Sequence, residues 1–354
     1  MKKLFLSGIV CLKLCFGFSQ AIPNPLHYTC FRAEKPLKID GKLNEPSWQK
    51  AQWTNLFVDI EGDKKPLPTQ ATKAKMLWDD QYLYIAAELE ETNIWAYQTT
   101  KDQIVYLEND FEVFIDPDGD TQNYFELEVN AANNTFDLFL PKPYRNGGNA
   151  LINWDIKNLK TAVHIDGTLN KSKDIDKVWT VEIAIPISSL NMDDKNHLPQ
   201  DLSFWRINFS RVEWDFSLED RKYTRKKKEN NEGVLPEYNW VWSPQGAINM
   251  HLPERWGYLV FSTQNVGATP INFTLPESEK LKQIAWQIYD KQKTYFAKNQ
   301  RHASNLIELS FDNNDYEILI EATSQTFIIY VSDKAKKTFI TLNQDSVLNV
   351  IKKP

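Results

Sequence analysis

The sequence predicts a mainly β protein: an antiparallel β-sandwich followed by a small α+β appendage at the C-terminus. Three observations carry that reading. Between about Phe31 and Phe261, short stretches alternate apolar and polar residues with the period of two that turns one face of a strand toward a core. Polar, turn-rich pieces such as Asp116 to Asn123 and Gly167 to Asp176 separate them. No regular exchange of strands with long helices occurs, which disfavours a parallel α/β sheet.

The chain opens with Lys2 and Lys3, an apolar run from Leu4 to Phe18 interrupted by Lys13, and the small residues Ser19 and Ala21. That order reads as a secretory signal over residues 1–20, too short and too interrupted to span a membrane. Cleavage there makes the mature chain secreted or periplasmic. It would remove three lysines and no acidic residue, moving the formal charge from −6 to −9. Nucleic acid and anionic membrane surfaces are poor partners for such a chain. Cys11 and Cys15 leave with the signal, so Cys30 remains alone; an internal disulfide, a cysteine zinc site and a redox motif are excluded. Leu14 and Val10 precede those two cysteines, where a lipid anchor would need small residues.

The sandwich is expected over residues 31–261, its clearest strands being Tyr82 to Glu88, Phe111 to Asp116, Tyr124 to Asn130, Trp179 to Ile185, Trp205 to Ser210 and Gly257 to Phe261. A connector rich in small polar residues and proline follows Phe261. The appendage, residues 276–354, begins with a helix over Ser278 to Lys298, where Leu281, Ile284, Ala285, Ile288 and Tyr295 recur at helical spacing after Pro276. Short strands are expected near Leu306 to Phe311, Tyr316 to Ala322, Thr326 to Val331 and Thr338 to Leu342. The insertion from Asp215 to Tyr238 is basic, but Glu219, Asp220, Glu229 and Glu232 dilute its charge, and it reads as a solvated loop.

The segments KIDGKLNEPSW, MLWDDQYLYIAAEL, ENDFEVFIDPDGD, NYFELEVNA, WTVEIAIP and PERWGYLVF occur in this order. Together, from Ile39 to Phe261, they resemble the family 9 carbohydrate-binding modules and their DOMON-like relatives. The resemblance implies a jelly-roll-like sandwich in which aromatic residues hold a glucose-type or xylose-type ring and polar side chains on one sheet face bind its hydroxyls. Tyr106 stands where the family has an aromatic residue, Glu112 where it has an acidic one, and Asn208 at a polar strand position. Met250 falls where a second aromatic would stand, and Glu128 where a basic residue would.

Read from the residues alone, the period of two groups Glu112, Glu128, Asn130, Glu182, Arg206 and Asn208 on one face, provided their strands are neighbours. Such a face could exchange hydrogen bonds with sugar hydroxyls beneath an aromatic lid; the alternative is a solvent face of Glu–Arg pairs. Trp48, Trp78, Trp179, Trp205 and Trp256 sit in apolar contexts and read as core, whereas Trp95, Trp154 and Trp214 lie in or beside loops and are candidates for stacking on a ligand. Asp116, Asp118 and Asp120 cluster oxygen donors suited to a structural Ca2+, with a tight hairpin turn as the alternative.

The function these features predict is non-catalytic carbohydrate binding in extracellular polysaccharide recognition or breakdown. The partner is a glycan or polysaccharide, with a secreted or surface glycan-degrading assembly as the setting. Two alternatives stay open: a glycoside hydrolase using two of Glu112, Glu128 and Glu182, and a structural or partner-binding sandwich without a sugar. Nucleophile elbows, phosphate-cradling glycine loops and HExxH signatures are absent, and the five histidines are scattered without ligand spacing.

Overall fold

In a computed structural model the chain is described over residues 23–191, 198–230 and 232–352. The expected signal segment, residues 1–20, lies outside the described residues. Among the described residues fourteen strands precede the long helix: β1 His27–Arg32, β2 Val58–Asp59, β3 Thr72–Trp78, β4 Tyr82–Glu90, β5 Asp110–Asp116, β6 Tyr124–Asn130 and β7 Thr135–Leu140 come first. They are followed by β8 Lys160–Asp166, β9 Val178–Pro186, β10 Phe204–Glu213, β11 Phe216–Glu219, β12 Lys222–Arg225, β13 Tyr238–Val241 and β14 Gly257–Asn265. A short helix, α1 Pro46–Lys50, lies between β1 and β2.

The main sheet runs β7-β6-β5-β10-β14-β1-β3-β4-β9-β8, with β13 paired to β10 and β2 to β13. It curls so that its two halves share one apolar core. Phe111, Val113, Phe125, Leu127, Ile207 and Phe209 meet Leu83, Ile85, Val181 and Ile183 there. Phe57 stacks on Phe111 and Phe209 at 6.4 Å, and Trp205 and Trp78 pack edge-on against Phe261. The tryptophans expected in the core are buried. One strand departs from the antiparallel expectation: β1 runs parallel to both β14 and β3 and joins the two halves. Its residues alternate too weakly in sequence to announce a strand with neighbours on both sides.

The KIDGKLNEPSW segment is explained by one buried carboxylate on β9. Glu182 accepts hydrogen bonds from the backbone N–H of Asp40 (2.9 Å) and Gly41 (2.7 Å) and from the Trp48 indole (2.6 Å). Gly41 has φ +80°, and a Cβ there would meet the Val163 and His164 backbone at 2.6 Å, so only glycine fits.

Beyond β14, helix α2 Glu277–Asn299 packs Leu281, Ala285, Ile288 and Tyr289 onto a four-stranded meander, β15 Glu317–Ala322, β16 Phe327–Ser332, β17 Thr338–Asn343 and β18 Leu348–Lys352. The strand expected at Leu306 to Phe311 is instead a run of turns. Glu308 accepts from the Ser304 N–H and the Arg301 guanidinium, and Asn305 Oδ1 accepts from the Glu308 N–H, so local side-chain bonds take the place of a ladder. The fourth strand comes from β18, which was not expected. The 215–238 insertion also departs from a free loop. It opens with the β11–β12 hairpin, whose Tyr223 ring is buried against Trp95 at 6.2 Å.

The helix and meander dock on the sandwich through buried charge. Arg145 grips Glu254 with two hydrogen bonds and lies 4.9 Å from the Trp286 ring centre; Arg255 pairs with Asp290 at 2.6 Å. On β10, the Arg206 guanidinium donates to the Trp256 carbonyl (2.6 Å) and the Glu254 carbonyl (3.1 Å). It also covers the Tyr258 ring at 3.9 Å and stands 3.7 Å from Glu279. The connector is pinned as well, since Phe273 packs against His27, Phe204 and Tyr258. Truncating one partner of such a network leaves buried charge and carbonyls uncompensated. Arg206→Ala should therefore lower the unfolding free energy in urea by about 3 kcal/mol. A loss below about 0.5 kcal/mol would mean the latch is not a stabilising contact.

Candidate functional site

The outward face of β5, β6 and β10 can be read rank by rank. Glu128, Glu112 and Ser210 lie side by side on the three strands, Glu126, Phe114 and Asn208 form the next rank, and Asp116 pairs with Arg206 in the one after. On the other side, β7 sets Phe136 against Glu128 and Leu138 against Glu126. Glu112, Phe114, Glu126, Glu128, Phe136 and Leu138 form the floor of a cavity of about 520 Å3. Its walls are loop residues: Ile104 and Tyr106 before β5, Tyr144 and Ile152 after β7, and Asn249, Met250 and His251 before β14.

Tyr106 and Tyr144 are the half-exposed rings of the cavity, 40% and 45% accessible. Tyr106 is held from behind. Its N–H donates to Glu128 Oε2 (3.1 Å), and its carbonyl accepts from the Trp214 indole (2.9 Å). Tyr144 starts a single 3₁₀ turn, Tyr144–Asn146, closed by Gly147 at φ +73°, and its ring meets His251 edge-on at 4.5 Å. His251 Nδ1 faces the Tyr124 hydroxyl at 3.0 Å. Burial pushes the His251 pKa down to about 4, leaving the imidazole neutral near pH 7.

The floor is acidic. Burial pushes the Glu112 carboxyl up to about 7. Burial first, and then the neighbouring carboxylates, hold Asp110, Glu126 and Glu128 well above the usual carboxylate range. None of the described residues lining the cavity is Lys or Arg. The site can therefore accept hydrogen bonds from hydroxyls and, where a carboxyl keeps its proton, donate one.

Of the residues that the sequence singled out, the structure brings Tyr106, Glu112 and Glu128 together in this cavity, with Met250 in its wall. It places the others elsewhere. Asn130 caps a turn, accepting from the Ala132 and Asn134 N–H and donating to the Gln98 carbonyl. Arg206 shares the face but belongs to the docking latch. Asn208 is covered, donating to the Ser243 carbonyl and accepting from its N–H. Trp95 is buried, Trp214 holds the Tyr106 loop, and Trp154 packs on Phe125 at 5.1 Å. Glu182 lies on β9 in the other half of the sheet. Tyr144 and His251 were missed; the available signal for Tyr144 was an aromatic residue framed by Pro143 and Gly147 in a polar loop.

Asp116, Asp118 and Asp120 do converge, with one oxygen from each within 4.8 Å of the others. Their hard oxygens suit calcium. Asp116 also accepts from the Gly119 and Thr121 N–H, both at 2.9 Å, and the Lys282 ammonium bonds the Gly119 carbonyl. The hairpin thus has hydrogen bonds of its own that hold it closed.

A curled sandwich with a loop-walled, aromatic-flanked polar cavity on one sheet face defines a ligand-binding module. The chain belongs to the family described as Carbohydrate family 9 binding domain-like, whose model matches residues 39–215. Carbohydrate binding is accordingly its function class. Among curated proteins it is similar to the exoglucanase XynX of Acetivibrio thermocellus, 32% identical over 90 residues, and to the endo-1,4-beta-xylanase A of Thermoanaerobacterium saccharolyticum, 33% over 89. Each match spans 25% of this chain but only 8% and 7% of those enzymes. A family 9 carbohydrate-binding module from Caldicellulosiruptor kristjanssonii, solved with cellotriose, aligns over 70% of this chain and all of its own, with 16% identity and a TM-score of 0.43.

Because Trp95 is packed inside rather than facing ligand, Trp95→Ala should cost about 3 to 5 kcal/mol of stability through the cavity left behind. Glycan affinity of the folded fraction should stay unchanged. Chemical denaturation followed by calorimetry separates the two effects.

Proposed function

We propose that the cavity flanked by Tyr106 and Tyr144 binds carbohydrate without cleaving it, and that the chain serves polysaccharide recognition or breakdown outside the cytoplasm. The observation that carries this reading is the pairing of two half-exposed tyrosines with a carboxylate floor. A sugar ring has an apolar C–H face that an aromatic side chain covers, and an edge of hydroxyls that carboxylates accept from. The volume suits a small ligand of one or two rings. Tyr144 supplies an aromatic side chain that Met250 does not.

A glycan array followed by calorimetry on gluco- and xylo-oligosaccharides tests the reading. Tyr106→Ala and Tyr144→Ala should each weaken binding by about 1 kcal/mol or more, roughly fivefold or greater. Glu112→Ala should weaken it through the lost acceptor. Failure of every glycan to bind would favour the partner-binding alternative. Incubation with the bound oligosaccharide should release no reducing ends; release abolished by Glu112→Gln would instead make the chain a hydrolase.

Two further parts of the reading concern the chain's surroundings. The signal-like residues 1–20 support export, and mass spectrometry of the native protein should find a mature terminus near Ala21; an intact Met1 would contradict it. The turn at Asp116, Asp118 and Asp120 offers oxygen donors to a structural Ca2+. Calcium should then raise the melting temperature of the wild type but less that of Asp118→Asn.

A further inference from the structure

Glu112 and Glu128 face each other directly across the β5–β6 ladder, and Asp110 stands one rank along β5 on the same face. Like charges in that position repel. One oxygen from each of the three lies within 4.8 Å of the other two. The rest of the chain shows what this protein does with buried carboxylates. Glu91 and Glu213 share Arg211, Glu254 has Arg145, Glu279 has Lys282, and Glu182 has two backbone N–H groups and an indole. The floor cluster has less: Glu128 accepts one backbone N–H, from Tyr106 at 3.1 Å, and among the described residues no Lys or Arg lines the cavity. Asp110 is fully buried, and neither of its oxygens makes a hydrogen bond of good geometry, although the Val212 N–H favours its charged form; Glu126 Oε2 also lacks a partner. The nearest ring nitrogen, His251 Nε2, is 4.0 Å from Glu126. An ionised, unpartnered buried carboxylate is unfavourable, so the cluster must either keep its protons or take a cation, and one cation meets all three carboxylates at once.

The donors define that group. They are oxygens only, with no sulfur or imidazole in the triad, which selects a hard cation over zinc or copper. Calcium takes six to eight oxygens at flexible distances, more than three carboxylates provide. Asp110 closes the inner side, while Glu112 and Glu128 line the cavity, so the free coordination positions open toward the cavity. Vicinal hydroxyls of a sugar are neutral oxygen pairs of the kind that fill such positions.

We propose that Asp110, Glu112 and Glu128 hold a calcium ion in the floor of the cavity, and that a bound sugar completes its coordination through hydroxyl oxygens. The second half rests on the carbohydrate-binding reading above; the first does not.

The test uses the full mature chain carrying Asp118→Asn, which removes the hairpin turn as a competing site, after dialysis against chelator. Calorimetry with calcium chloride alone should show one ion per chain. Asp110→Asn, which changes a side chain behind the cavity, should weaken that binding at least tenfold, and Glu128→Gln should do the same if the first variant fails to fold. No calcium binding by the folded Asp118→Asn chain overturns the proposal, even where oligosaccharides still bind and the carbohydrate reading stands. Oligosaccharide titration with and without calcium then tests the coupling. At least a tenfold gain with calcium supports it, and equal affinity in chelator overturns it. Calcium binding with no glycan bound under either condition upholds the ion site and overturns the carbohydrate reading instead.

Discussion

The period of two along β5, β6 and β10 is the constraint on which the rest depends. Once Phe111, Val113, Ile115, Phe125, Leu127, Val129, Ile207 and Phe209 face the core, every intervening residue must face outward, beside its neighbours on adjacent strands. A slip of one residue would exchange the two sets and expose the core. The polar side chains therefore sit together because apolar ones must not. The energy that gathers four acidic residues, Asp110, Glu112, Glu126 and Glu128, beneath one cavity comes from burial on the opposite face of the same strands. That is how a sheet can hold an electrostatically unfavourable cluster in place.

Strand β10 serves two regions from that face. Near its C-terminal end, Ser210 flanks the acidic floor, and near its start Arg206 ties the sandwich to helix α2. Four residues along a strand is about 13 Å, so the two ends are chemically separate yet mechanically one piece. Arg145 makes a similar link, since it follows Tyr144 directly and pairs with Glu254 beneath the rings of α2. The loop that carries a cavity aromatic is thus anchored by the C-terminal unit.

The fold was legible where local pattern decides it. β6 and the centres of β4, β5, β9 and β10 follow from alternation, and α2 from its apolar spacing. β18 and the turns at Leu306 to Phe311 were not, because Glu308 and Asn305 form local hydrogen bonds that apolar spacing does not reveal. The site was half legible. Alternation correctly placed Glu112, Glu128, Arg206 and Asn208 on one face, but it is silent on rank: a shift of two residues preserves the face and moves a side chain along it. Arg206 falls two ranks from Glu112 for that reason. Asn208 is hidden by the segment at Ser243, and Tyr144 reaches the cavity from a loop whose path no periodicity records.

The parallel seam at β1 also bears on how the molecule comes to exist. His27 pairs with Tyr258 and Phe31 with Leu77, so the first strand needs a partner from the far end of the sandwich. Chains dominated by such distant pairings fold slowly, because loop closure comes before the contacts that reward it. During synthesis from the N-terminus, β1 stays without its β14 partner until more than two hundred further residues have been made. The two halves of the sheet can be joined through β1 only once β14 has been made.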